Sequence, residues 1–268
     1  MLSDSILYNN AMHITASFDS LALLAILVFL AGFIDSMAGG GGLITLPAYL
    51  HYGLRPDLLL GTNKLSSSMG TLVAAVKFLK GSGFGKSFLF ILIFLSAAGS
   101  ALGARAITLA PPEAIKYLLI VTLPPVAVFL AARHNFGLSD SSSSLGENRL
   151  LARAGAIAFF VSFYDGMLGP GTGTFLAVAF ARFCRYDLLS ATGLSKFINL
   201  TSNMAALVTF LALGKVDIRL GLAMGLAGMA GNYAGSHLAL KKGAGVIRPA
   251  LLLISGALLA KIIWDMVR

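Results

Sequence analysis

The sequence predicts an all-α integral membrane protein built from two inverted five-segment repeats, each carrying a short half-helix at a glycine-rich stretch. Three observations predict it. Of 268 residues, 57% are apolar and only 12% charged, whereas a soluble domain carries about 25% charged residues. Charge-poor runs recur at 21–34, 65–76, 87–104, 117–132, 197–214, 220–240 and 249–260, and with their flanks most reach the roughly 20 residues of a spanning helix. Finally, Asp35-Ser36-Met37-Ala38-Gly39-Gly40-Gly41-Gly42 returns 130 positions later as Asp165-Gly166-Met167-Leu168-Gly169-Pro170-Gly171. A helix broken inside a membrane marks a binding site.

The elements follow in order. Residues 1–20 carry Asp4 and Asp19 with no Lys or Arg, which fits a non-cytoplasmic tail better than a cleavable signal. The first repeat, 21–133, opens with a segment over 21–37 that ends in the glycines. Leu43-Ile44-Thr45-Leu46-Pro47-Ala48-Tyr49-Leu50 is too short to span and reads as a half-helix. Pro56 and Asp57 supply a turn and an N-cap for a third segment that runs to about Phe78. A fourth segment runs to about Leu109, Pro111-Pro112 turns the chain, and a fifth covers 113–132.

Residues 134–148, with Ser139-Asp140-Ser141-Ser142-Ser143-Ser144 at their centre, read as a flexible cytoplasmic linker. The second repeat, 149–268, then copies the first. Its first segment leads to Asp165, a short apolar piece ends near Phe183, and Arg185-Tyr186-Asp187 aligns with Arg55-Pro56-Asp57. Gly193-Leu194-Ser195-Lys196 matches Gly61-Thr62-Asn63-Lys64 at an offset of 132.

An odd number of segments per repeat inserts the second copy upside down. With the 77–86 turn in the cytoplasm, eleven basic residues fall on that side (Lys77, Lys80, Lys86, Arg133, Arg149, Arg153, Arg182, Arg185, Lys241, Lys242 and Arg248). Seven fall opposite (Arg55, Arg105, Lys116, Lys215, Arg219, Lys261 and Arg268). This is the positive-inside distribution, and it sets both termini outside the cytoplasm.

The same scatter argues against a nucleic-acid partner, because a net charge of +9 spread singly between apolar runs forms no polyanion face. The lone Cys184 reads as an apolar filler. His51 and His134 fall in expected loops and His237 at a helix end, so no metal site and no cofactor is implied. The chain leaves a homo-oligomer open.

Lys64 and Lys196 are the most informative positions. A lysine at mid-bilayer costs about 2.5–3.5 kcal/mol, so two at equivalent places point to an anion. The alternative is that they snorkel, or pair with Asp35 or Asp165. Half-helices starting at Gly42 and Gly173 would aim free N–H groups and the positive end of a dipole at the same place, and glycine lets a ligand approach the backbone. The candidate substrate-binding residues are accordingly Gly39, Gly40, Gly41, Gly42, Thr62, Asn63, Lys64 and Ser67 in the first repeat. Their second-repeat counterparts are Gly169, Gly171, Thr172, Gly173, Ser195, Lys196, Asn199 and Asn203. Lys196, Asn199 and Asn203 share one helix face. Tight helix packing is the competing reading of the glycines. Asp35 and Asp165 are candidates for carrying a coupling proton, with fixing the broken helix ends or neutralising the lysines as the structural alternative.

These motifs, at this spacing and over nearly the whole chain, resemble the TauE/SafE sulfite-exporter family of bacterial membrane proteins. The resemblance implies a secondary transporter of the inner membrane, for sulfite or small sulfur-containing organic anions such as sulfonates. Leu194 stands where Thr62 predicts a small polar residue. Two other readings compete with a transporter. An anion channel would use the same site. A lipid-pyrophosphate phosphatase-like enzyme would need acids and an arginine at the glycine loops, yet Glu113 and Glu147, the only glutamates, fall in expected loops.

Overall fold

The computed structural model describes residues 2–79, 83–110, 139–243, 245–247 and 249–250. Pro111-Pro112, the fifth segment of the first repeat, all but the start of the last segment of the second, and His134 lie outside the described residues. Within them the chain forms α1 (Leu2–Ala38), α2 (Gly42–His51), α3 (Pro56–Leu79) and α4 (Lys86–Thr108). After a 3₁₀ turn at Ser142–Leu145 come α5 (Glu147–Met167), α6 (Thr172–Phe183), α7 (Leu188–Ala212) and α8 (Ile218–Lys242). Among the described residues three apolar stretches are long enough to cross a bilayer, Asp19–Met37, Lys86–Thr108 and Glu147–Met167. Over the described residues the fold is all-helical, that of a multi-pass membrane protein.

The helix breaks fall where glycine makes them cheapest. Gly39 and Gly40 take φ values of 81° and 90°, and Gly169 and Gly171 take 91° and 82°, a left-handed region open to glycine at little cost. The short helices α2 and α6, of 10 and 12 residues, follow at once. Gly53 stops α2 at φ 94°, with the Leu54 N–H bonded back to the Tyr49 carbonyl at 3.0 Å, as in a Schellman ending.

Residues at equivalent places in the two halves begin their helices differently. Asp187 caps α7, its carboxylate accepting from the Leu189 and Ser190 N–H groups. Asp57 does not cap α3. That helix starts one residue earlier, at Pro56, where proline needs no N–H partner, and Asp57 pairs instead with Arg55 at 2.8 Å. Glu147 opens α5 rather than lying in a loop, and His51 ends α2.

Residues 139–146, expected to be flexible, are folded. Asp140 accepts from the Ser142 N–H and hydroxyl at 2.9 and 2.7 Å. Arg185 donates to Ser144 Oγ at 2.8 Å, and Leu145 is buried.

The packing is reciprocal. Helix α4 lies on α5 and α8 on α1; α3 packs on α8 and α7 on α4; α3 and α7 pack on each other. Small residues let the backbones meet. A β-carbon on Gly99 or Gly103 would lie 2.3 or 2.0 Å from the carbonyl oxygens of Phe159 and Phe163 in α5. On Gly231 or Gly235 it would lie 2.0 or 2.1 Å from those of Phe29 and Phe33 in α1. The two contacts use equivalent residues throughout.

Candidate functional site

Both helix breaks and both lysines converge between α1, α2, α3, α5, α6 and α7. The glycine loops are in direct contact: a β-carbon on Gly39 would lie 2.2 Å from the Thr174 nitrogen, and one on Gly42 would lie 3.3 Å from Pro170 Cα. Backbone meeting backbone at this distance requires glycine on one side.

The lysines reach across the halves. Lys64 Nζ lies 2.7 Å from Asp165 Oδ2 with both side chains buried. Lys196, fully buried, donates to the backbone carbonyl of Asp35 and lies 3.2 Å from its Oδ2. Each lysine is therefore paired with the acid of the other half. Asp35 Oδ1 also accepts the Gly41 N–H at 3.0 Å, so a carboxylate occupies the positive N-terminal end of α2. Asp35 holds the broken helix and neutralises Lys196 at once.

Neutral groups complete the network. Lys64 donates to Asn203 Oδ1 at 2.9 Å, and Asn203 Nδ2 donates to Asn199 Oδ1 at 3.3 Å. Ser202 Oγ donates to Asp165 Oδ2 at 2.5 Å. In the first half Thr45 donates to Asn63 Oδ1 at 2.5 Å, and Tyr49 to Ser66 Oγ at 2.7 Å.

A cavity of about 40 Å³ lies among these groups, room for a few water-sized bodies. Asp35, Gly40, Gly41, Gly42, Asn63, Lys64 and Ser67 line it from the first half. Asp165, Gly169, Thr172, Gly173, Asn199 and Asn203 line it from the second. Five candidates stand outside its wall. Thr62 Oγ1 accepts the Asp217 N–H at 2.9 Å and so ties α3 to the turn before α8. Ser195 donates to the Gly173 carbonyl at 3.0 Å, Gly39 and Gly171 shape the loops, and Lys196 is engaged by Asp35. Leu194, at Thr62's equivalent place, is buried in an apolar cluster.

Gly32, Thr45, Thr71, Gly228 and Asn232 also line the cavity and were not among the candidates. The signal for Asn232 was present, as one amide inside the apolar run 220–240. Among the described residues no group of three or more His, Cys, Asp or Glu is arranged to hold a metal ion.

The comparisons with known proteins bear on this geometry. The chain is 36% identical over 249 residues to the "Probable membrane transporter protein ORF9" of Sinorhizobium sp., covering 93% of this chain and 94% of that protein. It is 33% identical over 245 residues to the "Probable membrane transporter protein YfcA" of Escherichia coli K12, covering 91% and 90%. To a "Probable membrane transporter protein" of Haemophilus influenzae it is 32% identical over 247 residues, covering 92% and 96%. No solved structure matches the chain. The model of the family described as "Sulfite exporter TauE/SafE" matches residues 24–262. With the family model spanning most of the chain, and with relatives at this identity matched along nearly their full length, the protein belongs to the TauE/SafE family.

Proposed function

We propose that the protein is a secondary transporter that moves sulfite or small sulfonates across the bacterial inner membrane by alternating access, with a proton accompanying the anion. The observation that carries this reading is the pair of crossed ion pairs, Lys64 with Asp165 and Lys196 with Asp35, set at two glycine breaks around one small polar cavity. The family's description supports a transporter and the anion class, and the relatives' names support a membrane transporter.

Charge balance supports proton coupling. The four charges cancel, so an arriving anion must take a lysine from its carboxylate. Leaving that carboxylate ionised and unpaired in a buried site costs several kcal/mol. A proton on Asp165 removes the conflict: Lys64 turns to the anion, and the neutral acid stays hydrogen-bonded to Ser202. Asp35 lines the same cavity, but its lysine, Lys196, does not, so the exchange rests on Lys64 and Asp165.

Two inverted repeats suit alternating access, since rocking one half against the other opens the shared site to either side. The inversion is supported by the reciprocal packing and by the way each lysine pairs with the other half's acid. The distribution of basic residues supports both termini lying outside the cytoplasm.

Proteoliposomes test the reading. Wild-type protein accumulates labelled sulfite when a pH gradient is imposed, and Lys64→Ala, still purifying as a monodisperse species, does not. Wild-type uptake by Lys64→Ala would end the proposal. Uptake indifferent to the gradient would remove its proton.

A further inference from the structure

The two halves correspond element by element but differ around the cavity. Exchanging them maps Gly32 onto Ser162, Gly70 onto Ser202, Gly228 onto Ser96 and Asn232 onto Ser100. On the serine side the layer is closed. Ser96 Oγ lies 2.8 Å from Ser162 Oγ, Ser100 Oγ donates to the Ser202 carbonyl at 2.6 Å, and all four residues are buried. None of these serines lines the cavity.

On the glycine side the layer holds one amide. Asn232, 4% exposed, donates from Nδ2 to the Gly228 carbonyl at 3.0 Å. The missing side chains make its place: a β-carbon on Gly32 or Gly70 would lie 2.8 or 2.5 Å from Asn232 Nδ2. The Gly228 bond fixes the amide's orientation, because turning it over would set two acceptors face to face. Asn232 Oδ1 then has no hydrogen-bond partner among the described residues. A buried acceptor without a donor pays its desolvation for nothing in return. Asn232, Gly32 and Gly228 line the same cavity as Lys64.

We propose that Asn232 is a specificity-determining binding residue. Its Oδ1 accepts a hydrogen bond from an N–H or O–H group carried by the anion, while the anion's charge faces Lys64. This rests on the anion-site reading and narrows it. The preferred ligand is a small oxyanion with a donor on its central atom, since a cavity of about 40 Å³ leaves no room for a donor on a long arm. An amino-substituted oxyanion and a monoprotonated one share this chemistry.

The test compares sulfamate with methanesulfonate, equal in charge and nearly equal in shape, of which only sulfamate carries N–H donors. Binding is read by calorimetry on purified wild type, Asn232→Leu and Asn232→Ser, each first checked for cooperative unfolding. Asn232→Ser serves if the leucine variant does not fold. Wild type is expected to prefer sulfamate about tenfold, as one buried hydrogen bond would give, and Asn232→Leu to bind the two equally. For the O–H source, sulfite affinity falls as the anion loses its proton with rising pH, and falls less steeply in Asn232→Leu. No preference in wild type overturns the inference and leaves the anion site standing, as does a tenfold preference kept by both variants, which would leave Asn232 serving a buried water. Failure of wild type to bind any of the three anions overturns the site and this inference together.

Discussion

Lys64 and Asp165 form a buried ion pair 2.7 Å long whose two members come from opposite halves of the chain. Removing one member leaves the other charged and alone, at about 3–5 kcal/mol, whereas replacing both by apolar groups is close to neutral. Asp165→Asn is therefore expected to unfold well below wild type, and Lys64→Met/Asp165→Leu to recover most of the loss without recovering sulfite uptake. Thermal unfolding in detergent and uptake in vesicles separate the two effects. An Asp165→Asn variant as stable as wild type would contradict the pairing.

The small-residue contacts make a second prediction. Gly103→Ala and Gly231→Ala each set a β-carbon 2.0 Å from a neighbouring helix's carbonyl oxygen, so the helices must part, at about 1–3 kcal/mol. Gly83→Ala meets nothing within 4 Å and serves as the control. Equal unfolding midpoints for all three would sink the close approach.

Thr62 and the cavity are separable. Thr62→Val strips the Asp217 N–H of its acceptor and is expected to cost about 1 kcal/mol of stability. Sulfite affinity stays unchanged, because Thr62 does not line the cavity. A large loss of affinity with unchanged stability would reverse that assignment.

The turn between α6 and α7 predicts an alkaline response. Burial pushes the Cys184 thiol from 9.0 up to about 12, against a smaller opposing pull from Arg153. Burial, with the neighbouring Cys184 and Asp140, pushes Tyr186 from 10.0 to about 12. Both hold their protons more tightly folded than unfolded, so their contribution is whole below about pH 9 and is lost as the pH rises towards 12. Cys184→Ala/Tyr186→Phe should flatten the alkaline limb of a stability-against-pH curve. In the folded protein Cys184 should also resist maleimide at neutral pH, where almost none of it is thiolate.

Much of this architecture is legible from residue order alone. Glycine runs next to an acid, followed by a short, largely apolar stretch, are enough to read α2 as a half-helix, and the matching Gly61-Thr62-Asn63-Lys64 and Gly193-Leu194-Ser195-Lys196 mark the two lysines as equivalent. What escapes is anything that depends on which helix faces which. Nothing in the spacing of Lys64 says that its counter-ion is Asp165 rather than Asp35, because both acids precede a glycine break. Asn232 shows in the sequence as one amide in an apolar run, but Gly32 and Gly70, brought beside it by α1 and α3, do not show there. The 139–146 stretch has a linker's composition, and Arg185, some forty positions on, helps tie it down. Asp57 and Asp187 align in sequence, but Pro56, where the second half has Tyr186, starts α3 before Asp57 can cap it.

The crossed ion pairs also constrain how the protein is made. When the first half leaves the ribosome, Asp35 and Lys64 are both present without the counter-charges they meet in the finished molecule, and the insertion of Lys64 costs about 2.5–3.5 kcal/mol. Those counter-charges, Asp165 and Lys196, arrive only with the second half. A truncated chain thus lacks the partners that Asp35 and Lys64 meet in the finished molecule, a lesion that membrane quality control can detect, while two separately expressed halves can restore the crossed pairs only by finding each other.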